Sequence, residues 1–412
     1  MPPTKTHSIT SNLLTPTNSA SDAAAAATDN KPGATSHPPT TTTTTTTHQA
    51  TATLSKNKRK PLYDGLSCED KAKIAVIYFS QNNPHARTYE LKSILGYGSN
   101  GVVIGAVDEY GFDVAVKIIY KTYAGVSLTN AREIEALKYL ASQTDDHAAA
   151  AAGGDDAVLL KFVADFQDDL HYYLVTEKFG FAWMEDAAGT LQNLSFMDAK
   201  GTKCSIPFSS GCSDMWGWAY FHRLHMHRSS GTTLLPLNPV KRIMRHVAVG
   251  LQFIHKHAFY HGDLKLENIL VADSNTPATQ FIKIADFGRC RPVHHGIQTY
   301  GTFEVSAPEL LHDSPFDPNT LDGRACDVFA LGMMLYCLLS ARGELPPACR
   351  LLKSRTIGYE FLMDRYAHTG FPVGDVDGLD AEGVALLEGM LRVDVARRFT
   401  VEEVLAHPYL NC

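Results

Sequence analysis

His261-Gly-Asp-Leu-Lys-Leu-Glu-Asn268 is the most informative stretch of this chain, and Ala285-Asp-Phe-Gly288 follows it a short way downstream. In the first stretch a lysine comes two residues after an aspartate, and an asparagine comes five residues after it. The second stretch places an aspartate in a turn after an apolar strand. Transfer of a phosphoryl group requires an oriented hydroxyl, neutralised phosphate charge and bound magnesium. The two stretches together contain residues suited to each of these tasks.

Four side chains of these stretches can be matched to the tasks. Asp263 suits orientation of the attacking hydroxyl, and Lys265 suits neutralisation of phosphate charge. Asn268 and Asp286 carry hard oxygen ligands of the kind that magnesium prefers, and they leave room for waters and phosphate oxygens. A loop with capping Asp and Asn residues would explain either stretch alone. It does not explain their order among the motifs described below.

The composition is that of a soluble globular chain. Of its 412 residues, 44% are apolar and 20% are charged, and the modest formal net charge of −7 gives no reason to expect a nucleic-acid partner. The 8 cysteines are scattered without the dense spacing of a disulfide scaffold, which favours a reducing compartment. The start lacks the order of a signal peptide, and no apolar run approaches a membrane span. We therefore expect a monomeric cytoplasmic protein, or a nuclear one, without membrane partners.

The composition changes along the first part of the chain. Residues 1–60 consist mainly of Thr, Ala, Ser and Pro, including the unbroken run Thr40–Thr47, and such a segment cannot bury enough apolar surface to offset its ordering entropy. We predict a disordered tail there. Its basic cluster at 56–60 is typical of a solvated segment, with a nuclear import signal as the alternative. Residues 61–88 are predicted to be an N-terminal extension with a short helix over 68–80.

A glycine-rich stretch, Gly96-Tyr-Gly98-Ser-Asn-Gly101-Val-Val103, lies between predicted strands. Because it joins strand to strand rather than strand to helix, it suits a flap whose backbone N–H groups cover phosphates better than it suits a dinucleotide-binding loop. Lys117 closes the next strand, among apolar residues, and therefore needs a partner. Glu133 is the candidate, on a helix whose apolar residues repeat at helical spacing. A surface glutamate is the alternative.

The character of the sequence changes again at Thr176-Glu-Lys-Phe-Gly180, which predicts a linker between two lobes. Residues 181–210 lack clear periodicity and are predicted to be an insertion. Cys204, Cys212 and the histidines beyond them match no compact zinc-ligand spacing, so a metal site is disfavoured there. We predict instead that Met215 and the aromatic residues after it lie on a packed helix.

Over residues 89–410 these motifs resemble the eukaryotic protein kinase family. The family order is glycine flap, strand lysine, helix glutamate, catalytic loop, magnesium turn and Ala-Pro-Glu, and the last of these is Ala307-Pro-Glu309 here. The resemblance implies an α+β, two-lobed protein kinase fold. A small antiparallel-sheet N-lobe would cover 89–178, and a larger, mostly helical C-lobe with the 181–210 insertion would cover 179–410. ATP and Mg²⁺ would bind between the lobes.

The resemblance also implies roles for individual residues. Lys117 would contact the ATP phosphates and pair with Glu133, so that both join Asp263 and Lys265 in the catalytic set. Asn268 and Asp286 would hold magnesium. The nucleotide-binding residues would be Leu95, Gly96, Gly98, Gly101, Val103, Ala115, Lys117, Glu177, Phe179 and Leu270.

Further positions refine the resemblance. Lys265 and Gly301-Thr302 resemble serine/threonine kinases, and the run from Arg398 to Pro408 resembles the calcium/calmodulin-dependent and related groups. Arg398 falls where the family places the arginine that pairs with Glu309. Leu137, His261 and Phe287 would form a stack that links the lobes. The implied function is ATP-dependent phosphorylation of Ser and Thr hydroxyls on protein substrates in signalling.

Gly262 departs from the family pattern, which usually has arginine there. His-Gly-Asp also occurs in small-molecule kinases, but Lys265, the Asp-Phe-Gly turn, Ala-Pro-Glu and Arg398 favour a protein kinase. The alternative of a different class is a pseudokinase, a scaffold that acts through its surface with or without bound nucleotide. Its usual mark is loss of the strand lysine or of a catalytic or magnesium aspartate, and Lys117, Asp263 and Asp286 are all present.

Overall fold

The computed structural model describes the chain from Tyr63 to Asn411 with gaps. The gaps are 124–125, 128–131, 144–157, 184–192, 209–212, 273–280, 298–301, 303–304, 312–313, 346–358, 361–375 and 377–378. The tail predicted for 1–60 therefore lies outside the described residues, and that prediction stays untested.

A five-stranded antiparallel sheet forms the small lobe, in the order β1-β2-β3-β7-β6. In β3 the β-branched residues Val114, Val116 and Ile118 are buried on one face, so the alternation of side chains places Lys117 on the other face. The strands are β1 (Tyr89–Tyr97), β2 (Gly101–Asp108), β3 (Asp113–Tyr120), β6 (Phe162–Gln167) and β7 (His171–Glu177), with a short β4 (Thr122–Tyr123) and β5 (Val126–Ser127) pair after β3.

Helix α1 (Cys68–Asn82) covers the face of this sheet that carries Val116. The helix begins where the Ser67 side chain accepts a hydrogen bond from the Asp70 N–H, as expected of an N-cap. Its buried residues Ala72, Val76 and Phe79 belong to the same apolar core as the sheet. The helix predicted for 68–80 is present, and the segment predicted as an extension is an integral layer of the small lobe.

The 181–210 insertion contains a hairpin of β8 (Asn193–Met197) and β9 (Lys203–Pro207). Its turn is closed by the Asp198 carboxylate, which accepts hydrogen bonds from two backbone N–H groups. We assigned this insertion to the larger lobe, and the structure places the hairpin against the small lobe instead. The physical reason is burial, because Leu194, Phe196 and Ile206 belong to the core of the small sheet.

Helix α2 (Arg132–Ser142) packs on the opposite side of the small lobe. Ile134, Leu137 and Leu140 are buried and belong to the core that continues into the larger lobe. That spacing is one apolar stripe of a helix. It places Glu133, which is also buried, on the side of the helix that faces the rest of the protein.

The larger lobe is mostly helical, which completes the predicted two-lobed α+β architecture. Its core consists mainly of the apolar face of α4 and of α5, which is buried along nearly its whole length. The helices are α3 (Met215–Ser230), α4 (Leu237–Lys256), α5 (Gly323–Leu339), α6 (Ala381–Met390) and α7 (Val401–Ala406). Among the described residues, none of the helices has both the length and the apolar character that crossing a membrane would require.

Two short antiparallel pairs frame the loops that carry the sequence motifs. β10 (Phe259–Tyr260) pairs with β13 (Arg291–Pro292), and β11 (Ile269–Val271) pairs with β12 (Ile282–Ile284). The 261–268 loop runs from β10 to β11, and the 285–290 loop runs from β12 to β13. Strand pairing at both ends therefore holds the two motif loops side by side.

Candidate active site

Lys117 contacts two carboxylates at the junction of the lobes. Its Nζ lies 2.6 Å from Glu133 Oε1 on α2 and 3.0 Å from Asp286 Oδ1, after β12. The predicted pairing of Lys117 with Glu133 is present. Burial lowers the pKa of Lys117, but the Asp286 and Glu133 carboxylates outweigh that effect and hold its pKa above the ordinary value. The ammonium group is therefore charged at neutral pH.

Asp286 adopts a left-handed backbone conformation, with φ of 59°, which is uncommon for a residue other than glycine. The nearby Lys117 ammonium holds the pKa of the Asp286 carboxyl well below its usual range. The next residues form a single 3₁₀ turn, Phe287–Arg289. A Cβ on Gly288 would come within 3.3 Å of Asp286 Oδ1, so a side chain at this position would crowd the carboxylate.

A second contact group surrounds Asp263 in the 261–268 loop. Lys265 Nζ lies 3.1 Å from Asp263 Oδ2 and donates to Thr302 Oγ1 at 3.2 Å, while Thr302 Oγ1 donates to Asp263 Oδ1 at 3.1 Å. Asn268 Nδ2 donates to the Asp263 carbonyl oxygen at 2.6 Å. The structure therefore brings Asp263, Lys265 and Asn268 together as expected. The sequence linked Thr302 only to the kinase type, and its contact with Asp263 was not foreseen.

The backbone joins the two groups. The Ala285 N–H donates to the Asn268 carbonyl oxygen at 2.8 Å, and His261 Nε2 lies 3.1 Å from the Ala285 carbonyl oxygen. The His261 ring also contacts the Phe287 ring edge to face, with centroids 5.4 Å apart. His261, Phe287 and Leu137 are all buried, in line with the predicted stack between the lobes.

Asp327, in the first turns of α5, holds the backbone of the 261–268 loop through hydrogen bonds. Its carboxylate accepts from the His261 N–H at 2.7 Å and the Gly262 N–H at 2.9 Å, and it lies 3.0 Å from His255 Nε2. Asp327, His255 and His261 are all buried. The sequence around Asp327 does not indicate this role, because its partners lie far away in the chain.

The segment between the lobes is fixed by Lys283 of β12. Its Nζ lies 2.8 Å from the Glu177 carboxylate and 3.2 Å from the Leu159 carbonyl oxygen. The second partner of the Glu177 carboxylate is the Lys161 N–H, at 2.8 Å. Sequence reasoning placed Glu177 and Phe179 at this segment but missed Lys283, since a lysine in a three-residue strand gives no signal of its own.

Glu309 and Arg398 form a buried ion pair in the larger lobe. Arg398 Nη1 lies 2.6 Å from Oε1 of Glu309, and Nη2 lies 2.9 Å from Oε2, so the pair is bidentate. The same guanidinium donates to the carbonyl oxygens of Ala325 and Arg392. This is the pairing that the sequence predicted for the residue after Ala307-Pro308.

Comparison with known proteins finds related sequences. A model of the protein kinase domain family matches residues 219–410. The serine/threonine-protein kinase SBK1 of Danio rerio is 31% identical over 174 residues, 42% of this chain and 43% of the relative. GRIK2 of Arabidopsis thaliana, also named as a serine/threonine-protein kinase, is 30% identical over 174 residues, 41% of this chain and 38% of the relative. Residues 219–410 of this chain belong to the protein kinase domain family. The matched part of the chain spans less than half of either relative.

The glycine-rich flap joins β1 to β2. A Cβ on Gly101 would lie 2.2 Å from the Ile118 carbonyl oxygen, so the neighbouring strand requires glycine there. A Cβ on Gly96 or Gly98 would meet nothing within 4 Å among the described residues. Protein packing therefore does not explain these two glycines, whereas close approach of a ligand to the backbone would.

Four apolar residues of the predicted nucleotide site share an intermediate exposure. They are only half-buried, although their neighbours in the strands, such as Val102, Ile104, Val114 and Val116, are fully buried. Partial exposure of small and branched apolar groups suits contact with a flat ring such as adenine. The residues are Leu95, Val103, Ala115 and Leu270, which are four of the predicted nucleotide-binding residues.

Asn268 and Asp286 fit a magnesium ion that brings most of its own ligands. No cluster of three or more His, Cys, Asp or Glu side chains suited to a metal occurs in the described part of the chain. Magnesium usually keeps several waters and takes one or two protein oxygens together with substrate phosphates. The amide nitrogen of Asn268 is already bonded to Asp263, which leaves its carboxamide oxygen for a cation.

Proposed function

We propose that this protein transfers the γ-phosphoryl group of ATP to Ser or Thr hydroxyls of protein substrates. One observation carries the proposal, namely two contact groups whose loops are joined by a backbone hydrogen bond. The first group consists of Lys117, Glu133 and Asp286. The second consists of Asp263, Lys265 and Thr302. Phosphoryl transfer depends mainly on positioning and on stabilisation of charge. The contacts and charges of both groups suit those tasks.

Each residue has a distinct part in this proposal. Magnesium, when bound with ATP, would neutralise phosphate charge, and Asn268 and Asp286 would hold it. Lys117 would bind phosphate oxygens, kept in place by Glu133. Asp263 would orient the substrate hydroxyl and accept its proton, while Lys265 holds a positive charge 3.1 Å from that carboxylate.

Serine and threonine are proposed as acceptors because Lys265 and Thr302 contact each other and Asp263. The names of SBK1 and GRIK2 support the same class. The resemblance to the calcium/calmodulin-dependent group has less support. Death-associated protein kinase 2 of Mus musculus is 25% identical over 174 residues, 41% of this chain and 42% of the relative.

A basic residue beside the acceptor is the proposed sequence preference. Asp214, directly before α3, resembles the acidic position with which protein kinases read a basic residue upstream of the acceptor. Its charge also acts on the neighbouring Glu267 carboxyl, whose pKa burial raises and on which Lys265 has the opposite effect. These carboxyl groups attract a cationic side chain. A peptide library phosphorylated by the full chain should show enrichment of Arg or Lys near the acceptor. Enrichment of acidic residues or of proline would contradict this preference.

The proposed activity is tested by binding and by turnover on the same preparations. MgATP should raise the melting temperature of the wild type, and labelled phosphate should pass from ATP to a generic protein substrate. Asp263→Asn should keep MgATP binding but lose about 10²- to 10⁴-fold in turnover. Asp286→Asn should weaken the part of ATP binding that depends on magnesium.

Asp169→Asn is the matched control, because it makes the same chemical change in an exposed turn between β6 and β7. It should behave as the wild type. A protein that binds MgATP but transfers no phosphate would be a pseudokinase scaffold. Equal turnover in wild type and Asp263→Asn would exclude the proposed role of Asp263, and equal magnesium dependence in Asp286→Asn would exclude the metal assignment.

A further inference from the structure

The inserted hairpin reaches the glycine-rich flap. Strand β1 is at the edge of the five-stranded sheet, and Phe208, directly after β9, forms a parallel bridge with Ile94 on that edge. The pairing of β1 with β2 shifts register between Ile94 and Gly96, next to this bridge. The hairpin therefore extends the sheet at the point where β1 turns into the flap.

The Phe208 ring contacts the flap through Tyr97. The two ring centroids are 5.0 Å apart, and the ring planes are tilted by 58°. Tyr97 lies between Gly96 and Gly98 and is 38% exposed. The Phe208 ring also lies 5.5 Å from the Lys73 ammonium of α1, within range of a cation–π interaction.

The hairpin is itself firmly attached to the small lobe. Leu194, Phe196 and Ile206 are buried in the same core as α1 and the sheet. The Gln81 side chain of α1 donates to the Met197 carbonyl oxygen at 2.8 Å. Phe208 is therefore a fixed support, whereas the flap beside it contains three glycines within six residues, Gly96 to Gly101.

We propose that Phe208 is a positioning residue for the nucleotide, because it holds Tyr97 and so orders the flap before ATP binds. This inference rests on the proposed function, in which the flap covers the phosphates. A flap that is ordered in advance loses less conformational entropy when ligand binds, and affinity rises accordingly. The conformation of the flap would thus depend on the β8–β9 hairpin and Phe208, which follow the linker between the lobes in the sequence.

The expected effect is on nucleotide affinity rather than on the chemical step. An aromatic pair of this kind corresponds to about a two- to tenfold change in an equilibrium constant. Phe208→Ala in the full chain should therefore raise the KM for ATP and the Kd of a non-hydrolysable ATP analogue with magnesium by about that factor. The value of kcat should stay close to that of the wild type.

Two variants separate positioning from general damage. Phe208→Tyr keeps the ring and should restore wild-type affinity. Met197→Ala truncates an exposed side chain on the same hairpin, leaves the backbone bond from Gln81 intact, and should have no effect. Tyr97→Ala should weaken binding of the ATP analogue to a similar degree. The double variant Tyr97→Ala, Phe208→Ala should bind the analogue only a little more weakly than either single variant, as expected of coupled residues.

Hydrogen exchange of the free protein completes the test independently of activity. Backbone amides of the flap, including the Gly98 N–H bonded to the Gly101 carbonyl oxygen, should exchange faster in Phe208→Ala than in the wild type, while amides of α5 should not change. Unchanged flap exchange would overturn the inference, as would unchanged affinity in a wild type that binds the analogue. A wild type that binds no analogue would instead contradict the proposed function.

Discussion

Asp286 shows how a single residue joins the two lobes. It follows a strand of the larger lobe, and its carboxylate contacts a lysine of the small sheet at 3.0 Å. Its left-handed backbone conformation is tolerated by Asp and Asn better than by most residues. Asp286→Asn therefore removes the charge at this position without a new backbone penalty.

The Asp286 carboxyl should make stability depend on pH in acid. Lys117 depresses its pKa in the folded state, whereas the unfolded chain has an ordinary value near ~3.9. As the pH falls from about 5 to about 3, the unfolded state takes up a proton that the folded state does not, so the free energy of unfolding decreases. Solvent reduces the size of this effect, because the side chain is 46% exposed.

Denaturant unfolding of wild type and Asp286→Asn across this pH range measures the effect. The wild type should lose more stability than the variant as the pH falls, so the two curves should converge or cross. Curves that stay parallel would show that Asp286 has the same pKa in both states.

The partner of a charged side chain can be predicted where the sequence places that side chain among apolar ones. Lys117 had to have a partner, and Glu133 was found from helical spacing alone. Lys283 and Asp327 were missed because each acts on residues far away in the chain, at Glu177 and His261. Nothing in the local pattern distinguishes such a residue from a surface lysine or a helix cap.

At the scale of elements, Arg398 ties together three parts of the larger lobe. It binds Glu309 after the Ala-Pro turn, the Ala325 carbonyl oxygen in α5 and the Arg392 carbonyl oxygen after α6. Both charged side chains are almost completely buried, with 0% and 1% exposed. Removal of one partner would leave the other buried and unpaired, which is the costly case.

Arg398→Met should lower the free energy of unfolding by about 3–5 kcal/mol. The neighbouring Arg397 pairs with Asp394 at 3.4 Å, but the two side chains are 75% and 57% exposed, so Arg397→Met should cost less than about 1 kcal/mol. Urea unfolding of both variants gives the comparison. The double variant Glu309→Gln, Arg398→Met should recover part of the loss. Similar losses for Arg398→Met and Arg397→Met would contradict this account.

The elements themselves were predictable where their apolar pattern is long. The five-residue strands β8 and β9 were not, because each contributes only one or two buried side chains between polar ones. A pattern of that length does not separate a strand from a loop. It also contains no information on which lobe the hairpin will cover, since that depends on the free edge of β1.

At the scale of the whole molecule, the boundary between tail and folded part can be tested by truncation. Deletion of residues 1–60 should leave the melting temperature and turnover nearly unchanged, because that segment has no apolar periodicity to pack. Deletion of 1–83 removes α1, whose Phe79 and Val76 are fully buried against the small sheet. That second deletion should lower the melting temperature strongly.

Phe79→Ala provides a point variant for the same argument, with an expected cost of about 3–5 kcal/mol. Tyr110→Ala is its control, since Tyr110 is highly exposed in the turn between β2 and β3. A large loss of stability on deletion of 1–60 would show that the tail docks on the folded part.

The 261–268 loop departs from the family pattern in the way that it is held in place. The family usually has an arginine at the position of Gly262, and in many kinases a phosphate on the activation segment, residues 289–303 here, compensates its charge. Here Gly262 has a φ of +77°, and a Cβ would lie 2.8 Å from the Arg289 carbonyl oxygen. The loop is held by buried Asp327, which accepts from the His261 and Gly262 N–H groups. Packing and this carboxylate therefore order the loop without a phosphate.

We therefore expect a kinase that is active without phosphorylation of its activation segment. Thr299 and Tyr300 are the acceptors that the sequence offers there, outside the described residues. Phosphatase-treated wild type and the Thr299→Ala, Tyr300→Phe double variant should both retain most wild-type turnover, with Asp263→Asn as the inactive reference. Gly262→Arg should lower stability through its strained backbone and should not make activity depend on phosphate. Loss of nearly all turnover in both phosphate-free proteins, with unchanged thermal melting, would show that phosphate orders this loop after all.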